Sequence, residues 1–104
     1  MDLEKKRLAL HKFLCNILGN NNCYYSPPSD IEMQYPCVIY HLDGLNPRFA
    51  DNIRYLPVLQ WSVTVVDEKA NSEIANRFMN LKYCSFSRSF SIEDLNHFAF
   101  SLYY

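Results

Sequence analysis

Glycine is scarce in this chain, and neither sign of charge dominates it. Two glycines among 104 residues cannot build most of the glycine-rich loops that cradle phosphates, and no Gly-x-Ser-x-Gly or His-Glu-x-x-His pattern is present. The formal net charge is −1, and the ten Lys and Arg are spread along the chain apart from a run at residues 5–7. The sequence therefore shows no cluster of positive charge of the kind that binds nucleic acids nonspecifically. No apolar run has the length of a signal peptide or a membrane span.

Cysteine occurs four times, but never as a Cys-x-x-Cys pair. The closest two, Cys15 and Cys23, are eight residues apart, so the paired ligands of structural zinc sites are missing. We expect the chain to be made and kept in a reducing cytoplasm, with free and mostly buried thiols. No metal and no cofactor are expected.

Aromatic residues are abundant for so short a chain, with eight Tyr, seven Phe and one Trp. The length predicts one domain, 1–104, whose interior is small. Tyr and Trp are enriched where one end of a ring is packed and the other stays wet, as at protein interfaces. We therefore expect some of these rings to face a partner protein.

Hydrophobic periodicity predicts an α+β fold with an N-terminal helix followed by β-β-α-β-β. The four strands are expected to form a largely antiparallel sheet with the helices packed on one face. The two consecutive prolines at residues 27–28 predict an extended surface link rather than an element. The predicted segments are a helix over residues 2–18, strands over 36–42 and 58–66, a helix capped by Asn71 or Ser72, and strands over 84–90 and 95–104.

Alternation assigns side chains to the two faces of the predicted sheet. In the second predicted strand, the core-facing residues are Leu59, Trp61, Val63 and Val65. In the last strand, Phe98, Phe100 and Leu102 are expected to complete the core. In the third strand, Phe86, Arg88 and Phe90 are expected to share one face, so Arg88 either lies at a subunit boundary or faces solvent on an edge strand.

The connection between the first two predicted strands is long, about fifteen residues against the usual two to five of a hairpin. Arg48, Phe49, Asp51 and Asn52 lie at its centre. One interpretation is an arm that inserts Phe49 into a partner, with Arg48, Asp51 and Arg54 fixing the register. The alternative is a solvated loop whose Phe49 folds back on the sheet. The first interpretation predicts that Phe49→Ala gives a folded monomer that fails to assemble.

The terminal strand offers further interface candidates. His97, next to Asn96, either contacts a neighbouring subunit or satisfies backbone groups locally. Tyr103 and Tyr104 lie at the margin of the strand and are predicted to contact a partner. None of the three histidines stands in a recognisable nucleophile, base and acid pattern. Enzymatic activity is therefore not expected, and no catalytic residue is assigned.

With these residues in view, the chain resembles the small neck proteins of tailed bacteriophages known as tail terminator or tail completion proteins. The resemblance runs in order along most of the chain. Its pieces are Tyr35-Pro36, Val38-Ile39-Tyr40, Leu42-Asp43, Phe49-Ala50-Asp51-Asn52, Val63-Thr64-Val65 with Asp67, Ser72-Glu73-Ile74, Cys84, Phe86 and Arg88, Leu95-Asn96-His97-Phe98, and Leu102-Tyr103-Tyr104.

The resemblance implies a subunit that closes into a ring, typically a hexamer, on the last ring of the tail tube. Such a ring stops tube growth and joins the tail to the head connector or head-closure protein. Its partners would be copies of itself, the tail tube protein and the connector, with DNA passing through the lumen as cargo and no membrane involved. The chain would reside in the virion neck after assembly in the bacterial cytoplasm. The alternatives are another neck protein, for head closure or the minor capsid, or a small host-directed inhibitor.

Overall fold

The structure is a computed structural model that describes residues 2–28, 30–45 and 59–104. Within these residues, two helices and a five-stranded sheet form an α+β fold. The elements in chain order are α1 (Leu3–Leu18), β1 (Cys23–Tyr25), β2 (Cys37–Leu45), β3 (Leu59–Asp67), α2 (Glu73–Met79), β4 (Cys84–Ile92) and β5 (Leu95–Tyr103).

Helix α1 begins and ends where its sequence directs. The Asp2 carboxylate accepts hydrogen bonds from the backbone N–H groups of Glu4 and Lys5, at 3.0 and 3.3 Å, which satisfies two donors of the first turn. Gly19 ends the helix with φ of +87°, a left-handed conformation that costs glycine little. The buried stripe of the helix consists of Leu10, Leu14 and Leu18.

The sheet has the order β1-β2-β3-β5-β4 and is mixed rather than wholly antiparallel. The expected four-stranded sheet and its β-β-α-β-β order are wrong by one strand, because Cys23–Tyr25 pairs parallel to β2. A strand of three residues is too short to show the two-residue alternation that identifies strands in a sequence. The prolines that follow it predicted only an extended link, so the strand was not recognised. The predicted antiparallel pairing of β2 with β3 is confirmed.

The face that packs on the helices, called the first face, carries the core. Across β2, β3 and β5, the row Tyr40, Val63 and Phe100 is paired residue by residue, and each of the three is at most 2% exposed. Both helices add side chains to this cluster, including Leu14 and Phe78. The predicted core residues of β3 are confirmed as buried, as are Phe100 and Leu102, while Phe98 is half-buried.

A β-bulge at Ser87 changes which residues of β4 share a face. Phe86 pairs with Phe100, whereas Arg88 pairs with Ala99, and these two partners lie on opposite faces of β5. The extra residue therefore places Phe86 on the first face and Arg88 with Phe90 on the second. The expectation that Phe86, Arg88 and Phe90 share a face is wrong, because one inserted residue reverses the alternation.

Helix α2 is capped by Ser72, one of the two predicted candidates. The Ser72 hydroxyl accepts from the Ala75 N–H at 3.1 Å and donates to the Asp67 carboxylate at 2.7 Å. Asp67 is 7% exposed and also accepts from the Lys69 N–H. The end of β3 and the start of α2 are thus joined by one buried polar network.

Candidate interaction surface

Strand β4 lies at the edge of the sheet and exposes large apolar side chains. Phe86, Phe90 and Ile92 are 46%, 36% and 54% exposed, and every residue of the strand after Cys84 is exposed. Nine residues long, it contains no proline, and Arg88 is its single charged residue. Edge strands usually carry charges or proline that discourage pairing with another chain, and β4 has little of either.

On the second face, the β4 edge carries a stacked column of three side chains. The rings of Phe90 and His97 are 4.8 Å apart between centroids and nearly parallel, at 14°. The Arg88 guanidinium lies 5.2 Å from the centroid of the same Phe90 ring. The His97 Nδ1–H donates to the Leu95 carbonyl at 3.1 Å, which holds the imidazole in place. We call Arg88, Phe90 and His97 the edge stack.

The edge stack has the composition of a protein-binding hot spot. The guanidinium of Arg88 forms no ion pair within the described part of the chain. Its N–H donors are therefore available to a carboxylate, which guanidinium can bind through two parallel hydrogen bonds. Aromatic and arginine side chains that are already ordered lose little entropy on binding. Two of the predicted interface residues, Arg88 and His97, are thus brought together through Phe90.

A shallow depression of about 410 Å³ lies beside the edge stack on the second face. Short hydroxyl side chains line its floor, among them Ser62, Thr64 and Ser101. His41 and Arg88 stand on opposite sides of it. Asp43 also lines the depression, and among the described residues no hydrogen bond links an acidic, a basic and a nucleophilic side chain there.

The segment that follows β1, the strand at the opposite edge of the sheet, has a different character, and sequence reasoning did not single it out. Residues 30–34 follow β1 without forming a helix or strand, and the backbone N–H of Gln34 donates to the Tyr24 hydroxyl at 3.1 Å. Asp30 and Glu32 alternate with Ile31 and Met33. Both carboxylates are exposed and have no partner in the described residues. The alternation of acidic and apolar residues in this segment is the sequence pattern that could have identified it as a candidate surface.

The C-terminal tyrosines are held against their own subunit. Tyr104 exchanges backbone hydrogen bonds with Leu59, and its ring stacks on Phe13 at 5.5 Å. The Lys6 ammonium lies 5.4 Å from the Tyr104 centroid. The Tyr103 N–H donates to the Tyr83 carbonyl, and its side chain is half-buried. Tyr104 therefore packs the end of the chain against helix α1. Its role at an interface stays a prediction.

The remaining predicted interface residues belong to the long connection between β2 and β3. Arg48, Phe49, Asp51, Asn52 and Arg54 all lie outside the described residues. Their assignment to an assembly arm stays a prediction.

A hydrogen bond between a side chain of α1 and one of β2 was not predicted from the sequence. His11 Nδ1 and the Tyr40 hydroxyl are 2.8 Å apart. Burial raises the pKa of Tyr40 and lowers the pKa of His11, which the nearby Arg7 lowers further. The neutral imidazole can therefore accept a hydrogen bond from the Tyr40 hydroxyl. Twenty-nine residues separate the two, so no local pattern connects them.

The four cysteines are free thiols with different burial. Cys23 and Cys37 are buried, and Cys15 and Cys84 are half-buried. Burial raises the pKa of Cys37 to about 12 and that of Cys84 to about 11, and it also raises the pKa of Cys23, which the neighbouring Cys15 raises further. These three thiols stay protonated at neutral pH and are weak nucleophiles.

Two further findings concern residues 2–28, 30–45 and 59–104. They contain no cluster of His, Cys, Asp and Glu that could hold a metal ion. Neither of their helices combines the length and apolar content that crossing a membrane requires.

Comparison of the chain with protein-family models, with curated proteins and with solved structures gives no match. The functional interpretation therefore depends on the residues of the chain and on the surfaces that the fold makes from them.

Proposed function

We propose that this chain is a structural virion protein that forms a ring at the head-proximal end of a bacteriophage tail tube. The ring stops tube growth and provides the joint to the head connector. The sequence resemblance to tail terminator proteins suggests this role. In this role the chain works by assembly and performs no catalysis.

The observation that carries the proposal is the exposed β4 edge with its edge stack. A chain of 12.3 kDa that leaves Phe86, Phe90 and Ile92 exposed on one strand has an aromatic surface suited to another protein. The resemblance includes residues of this same hairpin, among them Phe86, Arg88 and His97. The surface and the resemblance thus involve the same two strands, β4 and β5.

Ring closure requires two different patches on each subunit, because heterologous contacts repeat head to tail. The two edges of the sheet differ in this way. The β4 edge presents aromatic rings and the guanidinium of Arg88, whereas residues 30–34 beside β1 present Asp30 and Glu32. The strands β4 and β1, to which these patches belong or connect, lie at opposite ends of the strand order.

The charge of the chain suits a ring through which DNA passes. With a formal net charge of −1, a ring of identical copies is slightly acidic. The chain therefore brings no excess of Lys and Arg, the residues that would retain the phosphates of passing DNA.

The test is to add the purified chain to tail tubes assembled from tube protein and to image the products by electron microscopy. The proposal predicts a ring at one end of each tube and no further growth when more tube protein is supplied. Tubes that keep growing without a terminal ring would contradict it. Binding to the head connector but never to tubes would favour a head-closure protein. A persistent monomer that binds one host protein would favour the inhibitor alternative.

A further inference from the structure

We propose that strand β4 of one copy pairs through its backbone with residues 30–34 of a second copy, and that this contact repeats around the ring. The inference rests on the proposed function, because it names the two surfaces that join neighbouring subunits. Its occupant is a segment of this same chain, and its chemistry is strand addition reinforced by ion pairs to Arg88.

The geometry of the sheet suits a head-to-tail contact. In the order β1-β2-β3-β5-β4, only β5 pairs with β4, so the outer backbone groups of β4 have no strand partner in the described part of the chain. Residues 30–34 follow β1, the strand at the other edge. A contact between β4 and this segment uses a different patch on each of the two copies, so each copy keeps one free patch for its other neighbour.

The side chains of the two segments are complementary when paired as strands. In an extended conformation, Asp30 and Glu32 project to one side and Ile31 and Met33 to the other. Placed beside β4, the acidic side can lie along the second face, where Arg88 forms no ion pair with any described residue. The apolar side then lies along the first face, where Phe86 is 46% exposed.

Self-pairing of β4 explains the same edge less well. A two-fold antiparallel pair centred on the strand would place Arg88 opposite Arg88 of the other copy, and like charges directly opposite are destabilising. A two-fold contact also uses the same patch on both copies, so it ends at a dimer and cannot by itself close a ring.

Two charge-reversed variants test the contact. Arg88→Glu alters the strand, and Asp30→Lys combined with Glu32→Lys alters the segment. Each purified variant is expected to lose the ring that the wild-type chain forms, as measured by size-exclusion chromatography with light scattering. An equimolar mixture is expected to recover a ring of alternating composition, because the new carboxylate of one variant then faces the new ammonium groups of the other.

Matched controls separate this contact from a general effect of charge. Lys12→Glu and Glu68→Lys change exposed residues of α1 and of the turn after β3 and are expected to assemble like the wild type. Circular dichroism of every variant checks that the fold is retained.

The outcomes distinguish this inference from the proposed function. If the wild-type chain forms a ring and the segment variant also does, the inference is overturned and the ring stands. If Arg88→Glu alone fails and the segment variant assembles, β4 has a different occupant and the inference is again overturned. If the folded variants stay monomeric after mixing, Arg88 does not pair with Asp30 and Glu32 of a neighbouring copy, and the inference is overturned. A wild-type chain that forms no ring at any concentration overturns the ring together with this contact.

Discussion

The imidazole of His11 and the hydroxyl of Tyr40 lie 2.8 Å apart and join helix α1 to strand β2 across the core. Tyr40 is fully buried, so its hydroxyl depends on protein partners rather than on water. A buried polar group left without its partner costs about 1–3 kcal/mol. The hydrogen bond between the two therefore contributes to stability by giving the buried Tyr40 hydroxyl a partner.

Acid should weaken the fold through His11. Its pKa is lowered from the ordinary value of 6.5, first by burial and then by Arg7. The unfolded chain therefore takes up a proton at higher pH than the folded one. This contribution to stability is complete above pH 6.5 and is lost as pH falls through the lowered pKa. Urea unfolding at a series of pH values from 7.5 to about 4.5 measures it.

The matched variant for this prediction is His11→Gln, which keeps a hydrogen-bonding side chain that does not titrate. Its unfolding midpoint should vary less with pH over the same range. An equal pH dependence in the variant and the wild type would show that another group is responsible. Tyr40→Phe should cost about 1 kcal/mol at neutral pH.

The two paired phenylalanines of β4 and β5 should differ sharply when truncated. Phe100 is 2% exposed and Phe86 is 46% exposed, although their rings are 5.5 Å apart. Phe100→Ala should lower the free energy of unfolding by about 3–5 kcal/mol, since it opens a cavity. Phe86→Ala should lower it by about 1 kcal/mol, the worth of one aromatic contact. Similar losses in chemical denaturation would contradict the placement of β4 at an edge.

The bulge predicts an asymmetry between two single-residue deletions in β4. Deleting Ser87 removes the inserted residue, so Phe86 and Arg88 become neighbours and keep their opposite faces. Deleting Ser89 shifts the register by one residue. Either Phe90 and Ile92 or the residues before the deletion then move to the opposite face of the sheet. The Ser87 deletion should retain a cooperative thermal transition near that of the wild type, and the Ser89 deletion should melt at a clearly lower temperature. Equal effects would contradict the observed register.

The Ser72 hydroxyl should matter more than that of an exposed serine. Ser72→Ala removes both the cap on the Ala75 N–H and the hydrogen bond to Asp67. Because the site is buried, the expected loss is about 1–2 kcal/mol of unfolding free energy. The matched control is Ser85→Ala, because Ser85 is exposed on the edge strand β4. A loss of the same size in Ser85→Ala would show that the buried network adds little.

Local signals predicted the parts of the fold that local chemistry determines. The helix predicted over residues 2–18 matches α1 (Leu3–Leu18) to within one residue, and alternation identified the core residues of β3, because both patterns depend on neighbouring residues. The strand Cys23–Tyr25 was missed, since its pairing partner is distant and its length shows no period. The Ser87 bulge was also missed, because one inserted serine in a serine-rich strand has no distinctive pattern.

The candidate site was predicted only residue by residue. Arg88 and His97 were named, but their common contact with Phe90 depends on the bulge and on the register of β4 against β5. Residues 30–34 were passed over, because an exposed acidic stretch is ordinarily just solvated surface. Their position at the opposite edge of the sheet follows from the parallel pairing of β1, which no local pattern indicates.

The central claim, a closed ring of identical subunits, is tested most directly by the mass of the purified wild-type chain in native mass spectrometry over a range of concentrations. The account predicts a single closed species at high concentration, with a mass near six times 12.3 kDa as the resemblance implies, and no ladder of larger species. A monomer at every concentration, or a two-fold dimer that grows no further, would contradict it.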